Sequence, residues 1–164
     1  TTKKEVAELY RLGLLCGYFS VADAIRCADA LLATEVKQEY AVIEVSMASG
    51  ERPGDLAGYL SALSDGADTE ARKRDLLALL SRELMEDRSS ADRVIRAVMS
   101  LGQATGDDDL HYAGVGWDDE LYLAESDTRY QGSREIIVDD VLSKLDQYEL
   151  SKYARKEYAR KHEA

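Results

Sequence analysis

The sequence predicts an all-α protein that folds as a single domain, residues 1–164, made of about six irregularly packed helices. Three observations support this fold class. The chain has 164 residues but only one proline, so few positions interrupt a helix. Hydrophobic residues form 45% of the chain and recur mostly at three- and four-residue spacing, as on one side of a helix. A chain of this length can bury a core by itself. A short HEAT-like α-solenoid is the alternative architecture, although no repeat of fixed period appears.

Residues 68–102 have the clearest pattern, that of two amphipathic helices joined by a turn. The apolar side of the first helix is formed by Leu76, Leu77, Leu80 and Leu84, and that of the second by Val94, Ile95, Val98 and Leu101. Asp68 or Thr69 can cap the first helix, because either side chain can accept from the free amides of a first helical turn. Ser89 and Asp92 have the spacing of a capping box, and Gly102 suits the left-handed residue after a helix end. We expect this pair to form the core on which the other segments pack.

Further helices are predicted before the central pair. Thr2 with Glu5, and Ser20 with Asp23, have the spacing of capping boxes at the starts of two helices. Residues 35–49 are ambiguous, because their β-branched side chains also suit a strand. Since the flanking segments are helical, a helix is predicted there as well.

The segment after the central pair, residues 103–132, is predicted to be a long acidic loop. Its thirty residues lack sustained helical periodicity, and either a small strand or a helical turn fits around Leu121, Tyr122 and Leu123. Loops of that length in a compact domain are commonly functional. Ser133 suits the start of a final helix. That helix is expected to continue into a basic helix end at 150–164, where Lys and Arg favour the negative end of the helix dipole.

The formal net charge of −11 is distributed unevenly. Residues 106–140 hold eleven carboxylates and two arginines, whereas residues 150–164 hold five lysines and arginines and two glutamates. An acidic surface repels phosphate groups, so nucleic acid and anionic membranes are not expected as partners. A basic protein is the expected partner, self-association stays open, and no cofactor is expected.

Two features predict a cytoplasmic protein. No apolar run approaches the roughly 20 residues that cross a bilayer, and the N-terminal residues do not resemble a secretory signal. Cys16 and Cys27 lie eleven positions apart, which matches no zinc or redox motif. Because both have apolar helical neighbours, we expect them to be buried free thiols that pack as small hydrophobic side chains.

The acidic segment combines carboxylates with aromatic side chains, the composition of a protein-binding face. The candidate partner-binding residues are Asp107, Asp108, Asp109, Tyr112, Trp117, Asp118, Asp119, Glu120 and Tyr122. Aromatic side chains are enriched among residues that dominate binding energy, and carboxylates accelerate encounter with a basic partner. A competing interpretation places Trp117 and Leu121 in the helical core and leaves only the acids facing water.

A metal-assisted hydrolase that uses the carboxylates of residues 107–120 is the alternative function. Its candidate metal ligands are Asp109, His111, Asp118 and Glu120. An EF-hand that begins at Asp107 is excluded, because Tyr112 stands where the calcium loop requires glycine. No nucleophile motif, zinc-protease motif or phosphate-binding loop accompanies these residues. The sequence therefore favours a protein without catalytic activity.

In size, acidity and helical content, the chain resembles small bacterial immunity proteins. The resemblance lies in these general features and implies an acidic face that neutralises a basic toxin. Together with the acidic, aromatic composition of residues 107–122, it leads to one functional expectation. The chain is predicted to be a non-catalytic protein-interaction module that binds a basic partner.

Overall fold

The chain folds into helices joined by short connections. The computed structural model describes residues 2–34, 39–126 and 133–163. Over these ranges there are nine α-helices and no strand, so the predicted all-α class is confirmed, whereas the number of about six helices and the small strand are not. The helices are α1 (Thr2–Cys16), α2 (Val21–Thr34), α3 (Tyr40–Ser46), α4 (Pro53–Leu63), α5 (Thr69–Glu86), α6 (Ala91–Thr105), α7 (Asp108–Ser126), α8 (Ser133–Leu145) and α9 (Lys152–His162). None of these helices is both long enough and apolar enough to span a membrane.

Several helix starts follow the predicted capping signals. The Asp68 carboxylate accepts from the backbone N–H of Ala71 at 2.9 Å and caps α5. At the start of α2, the Asp23 carboxylate accepts from the backbone N–H of Ser20 at 2.8 Å, and the Ser20 hydroxyl accepts from the N–H of Asp23 at 3.1 Å. This reciprocal pair is a capping box. Pro53 occupies the first turn of α4, where its missing N–H costs nothing.

Three other predicted end signals have different roles. Ser89 lies in a 3₁₀ turn before α6, and its N–H and hydroxyl both donate to the Asp87 carboxylate, so it does not cap α6. Gly102 lies inside α6, and the left-handed residue after that helix is Gly106, with φ of +68°. Glu5 accepts from side-chain and backbone donors of the α5 region, because its carboxylate points away from the start of α1.

The predicted loop at 103–132 is helical in its described part, which corrects that expectation. α6 continues to residue 105 and α7 occupies residues 108–126, whereas residues 127–132 lie outside the described ranges. The buried side of α7 consists of Gly114, Trp117 and Leu121 at helical spacing. One of the three positions is glycine, so the apolar stripe is interrupted when it is read from the sequence. Residues 40–46 form α3, as predicted, and residues 35–38 are not described.

The core forms around α1, α5 and α6. The leucines and β-branched residues predicted for the central pair are all nearly inaccessible to solvent, as are Leu9 and Leu12 of α1. α1 packs against α4, α5 and α6, so it shares the central position with the predicted pair. Cys16 and Cys27 are buried free thiols, as expected, and burial raises their pKa values to about 11 and about 12.

α6 and α7 approach each other at two glycines. A Cβ atom on Gly102 would lie 2.5 Å from the backbone nitrogen of His111 and 2.8 Å from its Cα. A Cβ atom on Gly114 would lie 2.5 Å from Cγ of Met99 and 3.1 Å from the Met99 backbone nitrogen. Real carbon atoms do not approach this closely, so only hydrogen fits at either position. The two helix backbones are therefore in direct contact.

α9 is a separate helix and not the end of α8. Residues 146–151 lie between the two helices. The Ser151 hydroxyl accepts from the backbone N–H of Ala154 and caps α9. Ser151 also donates through its N–H and its hydroxyl to the buried Asp75 carboxylate of α5, at 3.1 and 2.9 Å. The prediction of one continuous final helix was wrong, because a cap and an anchor on α5 redirect the chain.

The charged side chains of α9 bind α1 and α2. Glu157 is 1% exposed and accepts from the Tyr10 hydroxyl at 2.7 Å. The Lys161 ammonium donates to the carbonyl oxygen of Tyr18 at 2.7 Å and to the Asp23 carboxylate at 3.1 Å. Lys161 of the basic tail therefore neutralises the Asp23 carboxylate of α2.

Replacing Gly102 with alanine tests the contact between α6 and α7. We expect Gly102→Ala to lower the free energy of unfolding by about 1–3 kcal/mol, because the added methyl group overlaps the α7 backbone. Gly116→Ala is the matched control on the exposed side of α7, where a Cβ atom meets nothing within 4 Å. That control should raise the free energy of unfolding by about 0.5–1 kcal/mol through helix propensity. Urea unfolding followed by circular dichroism measures both, and equal effects would contradict the direct contact.

The pH dependence of stability tests the Asp23 contacts. Burial acts to raise the pKa of Asp23, but hydrogen bonds from Ser20 and the charge and hydrogen bond of Lys161 outweigh it, so the pKa lies below its usual 3.8. A carboxyl group with a lowered folded-state pKa stabilises the fold above its unfolded-state pKa and loses that contribution as the pH falls. We expect the melting temperature to fall below about pH 4, and less steeply in Asp23→Asn than in the wild type.

The same change at the exposed Asp65 provides the control. Asp65→Asn should leave the melting temperature profile as it is in the wild type, since Asp65 is at the surface. Melting curves recorded from about pH 7 to about pH 3 compare the three proteins. An Asp23→Asn profile parallel to that of the wild type would show that this carboxylate does not stabilise the fold.

Candidate functional site

The predicted partner-binding residues lie on α7 and on the turn that precedes it. Because α7 buries the side that contains Gly114 and Leu121, its opposite side faces solvent. The exposed side is here called the α7 outer face and consists of Asp108, Asp109, Tyr112, Asp119, Glu120, Tyr122 and Leu123. All of these residues except Leu123 are among the candidate partner-binding residues predicted from the sequence. Tyr112 and Tyr122 are 69% and 71% exposed, an unusual degree for aromatic side chains.

Trp117 lies in the core and not on the α7 outer face. Its side chain is 7% exposed, and its indole N–H donates to the Asp140 carboxylate of α8 at 2.8 Å. Leu121 is buried beside it. These positions agree with the competing interpretation, in which Trp117 and Leu121 pack in the helical core. The indole therefore joins α7 to α8 and is not available as an exposed anchor for a partner.

Asp107 has a structural role at the start of α7. Its carboxylate accepts from the Lys73 ammonium of α5 at 2.7 Å and from the backbone N–H of Leu110 at 3.0 Å. The hydrogen bond from Lys73, followed by that from Leu110, holds the pKa of Asp107 below its usual value. Asp107 thus caps α7 and fixes its start against α5. Asp118, another predicted residue, is half-buried at the side of α7.

The predicted metal ligands do not converge. Successive helix residues are rotated by about 100°, so Asp109 and Glu120 lie on one side of α7, whereas His111 and Asp118 lie on the other. The Nδ1–H of His111 donates to the carbonyl oxygen of Met99 at 3.0 Å. Within residues 2–34, 39–126 and 133–163, no three His, Cys, Asp or Glu side chains are placed to hold a metal ion. Nothing in the described geometry favours the metal-assisted hydrolase.

The described acidic residues of segment 106–140 differ in whether they form ion pairs. Glu125 pairs with Arg134 at 2.6 Å, and Glu135 and Asp139 pair with Arg88, each at 2.8 Å. The four carboxylates of the α7 outer face, by contrast, form no ion pair with any other described residue, and these are Asp108, Asp109, Asp119 and Glu120. Their charge is therefore available to an external cation.

A groove lies beside the N-terminal half of α7. It has a volume of about 310 Å³ and separates α7 from the end of α8 and the residues that follow. This α7–α8 groove is lined by Asp107, Asp109, Leu110, Ala113, Trp117, Lys144, Leu145, Gln147 and Tyr148. Lys144 and Tyr148 were not among the residues predicted for the site, because they lie 35 and 39 residues after Asp109 and no local pattern connects them to it.

Comparisons of the chain with models of known protein families, with curated proteins and with solved structures found no match. Function must therefore be inferred from the contacts, exposure and charge of the residues themselves. The α7 outer face carries carboxylates and phenols, which attract cations, accept and donate hydrogen bonds, and cover apolar surface. Side chains with these properties are suited to contact another molecule.

Replacing one aromatic residue at a time tests whether the side chain lies on the core side of α7 or on its outer face. We expect Trp117→Ala to lower the free energy of unfolding by about 3–5 kcal/mol, because it leaves a cavity and an unpaired Asp140. Tyr112→Ala should change it by no more than about 0.5 kcal/mol, since its ring is exposed. Chemical denaturation followed by circular dichroism gives both values. A loss in Tyr112→Ala as large as that in Trp117→Ala would mean that the Tyr112 ring is packed.

Proposed function

We propose that this protein is a non-catalytic interaction module that binds a basic protein through the α7 outer face. One observation carries the proposal. Asp108, Asp109, Asp119 and Glu120 surround two exposed tyrosine rings and form no ion pair with another described residue. Unpaired charges beside exposed aromatic rings are the arrangement that a complementary partner can neutralise and cover.

The two kinds of side chain would contribute at different stages of binding. The carboxylates act over roughly 8 Å at physiological ionic strength and raise the rate of encounter with a basic surface. The Tyr112 and Tyr122 rings act at contact, since an aromatic side chain buries about 150–250 Å². Both rings lie on one side of a single helix, so one partner surface can cover them together.

The rigidity of the scaffold also supports the proposal. α7 is fixed by the glycine contacts with α6, by the Trp117 hydrogen bond to Asp140 and by the ion pair between Asp107 and Lys73. A helix that is already ordered loses little conformational entropy when a partner binds, and this favours affinity. The acidic residues are thus presented on a preformed surface.

The class of partner follows from charge and from the general resemblance to small bacterial immunity proteins. That resemblance makes a basic toxin the partner that we propose, and a cytoplasmic location belongs to the same proposal. Self-association through the basic residues of α9 would be a second use of the same acidic face.

A selection experiment tests the proposal. Protein fragments encoded by the source genome are displayed and selected on the intact protein, and enriched fragments are tested against two variants. The first variant neutralises the α7 outer face with Asp108→Asn, Asp109→Asn, Asp119→Asn and Glu120→Gln. The control makes the same charge change elsewhere, with Asp55→Asn, Asp65→Asn, Glu149→Gln and Glu163→Gln.

We expect the enriched fragments to be basic, and the first variant to lower their association rate constant about tenfold at low salt. The control variant should change this rate constant much less, and the difference should shrink as salt is added. Fragments that bind the first variant as fast as the wild type would refute the α7 outer face as the binding site.

A further inference from the structure

The α7–α8 groove opens directly beside the α7 outer face. Its apolar lining, here called its floor, is formed by Leu110, Ala113, Leu145 and the nearly buried Trp117. Its volume of about 310 Å³ is roughly ten times the share of liquid volume that one water molecule takes. The groove is therefore large enough for a long side chain of a partner.

We propose that this groove receives an arginine side chain of the basic partner, an inference that rests on the proposed function. Asp109 stands at the groove and on the α7 outer face at once, is exposed, and forms no ion pair with another described residue. Asp107 is already engaged by Lys73. The guanidinium group would therefore bind Asp109, while its methylene groups cover the apolar floor.

The lining of the groove favours arginine over lysine. A guanidinium group is planar, binds a carboxylate through two hydrogen bonds and stacks on aromatic rings, whereas an ammonium group is a strongly hydrated point charge. Tyr148 lines the groove, and the guanidinium of Arg74 already lies 5.9 Å from the centre of its ring. Lys144, an exposed cation, also lines the groove, so the favourable position for a guanidinium group is beside the Asp109 carboxylate and away from the Lys144 ammonium.

The matched variants are Asp109→Asn, inside the groove, and Asp119→Asn, outside it on the same helix. The probes are a hexa-arginine and a hexa-lysine peptide, which carry the same charge. Affinity is measured by calorimetry. Trp117 is the only tryptophan of the chain, so its fluorescence reports on the groove itself.

We expect hexa-arginine to bind about tenfold more tightly than hexa-lysine, and Asp109→Asn to weaken hexa-arginine about tenfold, as for the loss of one charge-assisted contact. Asp119→Asn should weaken both peptides only about twofold, as for one exposed charge. Hexa-arginine, but not hexa-lysine, should shift the emission of Trp117. Melting curves check that both variants remain folded.

Two results would overturn the inference, and they differ in what they say about the proposed function. Equal affinity for both peptides, equal effects of both variants and unchanged Trp117 emission would exclude the groove but leave the α7 outer face as a site for basic partners. If neither peptide bound the wild type, even at low salt, that result would count against both the groove and the proposed acidic face.

Discussion

The backbones of α6 and α7 touch because two positions have no side chain. Gly102 meets the backbone of His111, and Gly114 meets Met99, at distances where a methyl group would overlap. This contact sets the rotation of α7 about its own axis. With Gly114 turned toward α6, Trp117 is also turned inward and Tyr112 outward. The position of the acidic and aromatic side chains on the surface therefore depends on having glycine at positions 102 and 114 of the helix interface.

The packing of the helices also determines which charged side chains are engaged by other residues of the chain. Carboxylates of α5 and α9 are buried and engaged, as Asp75 is by Ser151 and Glu157 is by Tyr10. Lys161 of the basic tail is committed to Asp23 and to the carbonyl oxygen of Tyr18. α9 is therefore anchored on α1, α2 and α5, and its described side chains form no ion pair with the α7 outer face.

The α7 outer face and the α7–α8 groove suit two requirements of recognition. Exposed carboxylates increase the encounter rate with any basic surface, but such steering alone distinguishes partners poorly. A groove with an apolar floor and one available carboxylate adds shape and bond geometry, which distinguish arginine from lysine. Asp109 belongs to both surfaces, so in the proposed complex it would contribute to the encounter rate and to the recognition of arginine.

The sequence by itself determined the all-α class, the central helix pair, the caps at Asp68 and Ser20, and the burial of the two cysteines. Helical periodicity and caps are local, so neighbouring residues are enough to predict them. Tertiary structure alone decided that residues 108–126 of the acidic segment form a helix. Gly114 interrupts the apolar stripe in the sequence, and its role is evident only from its contact with Met99. Tertiary structure also brought Lys144 and Tyr148 to the groove, since contacts between residues distant in the chain leave no periodic pattern.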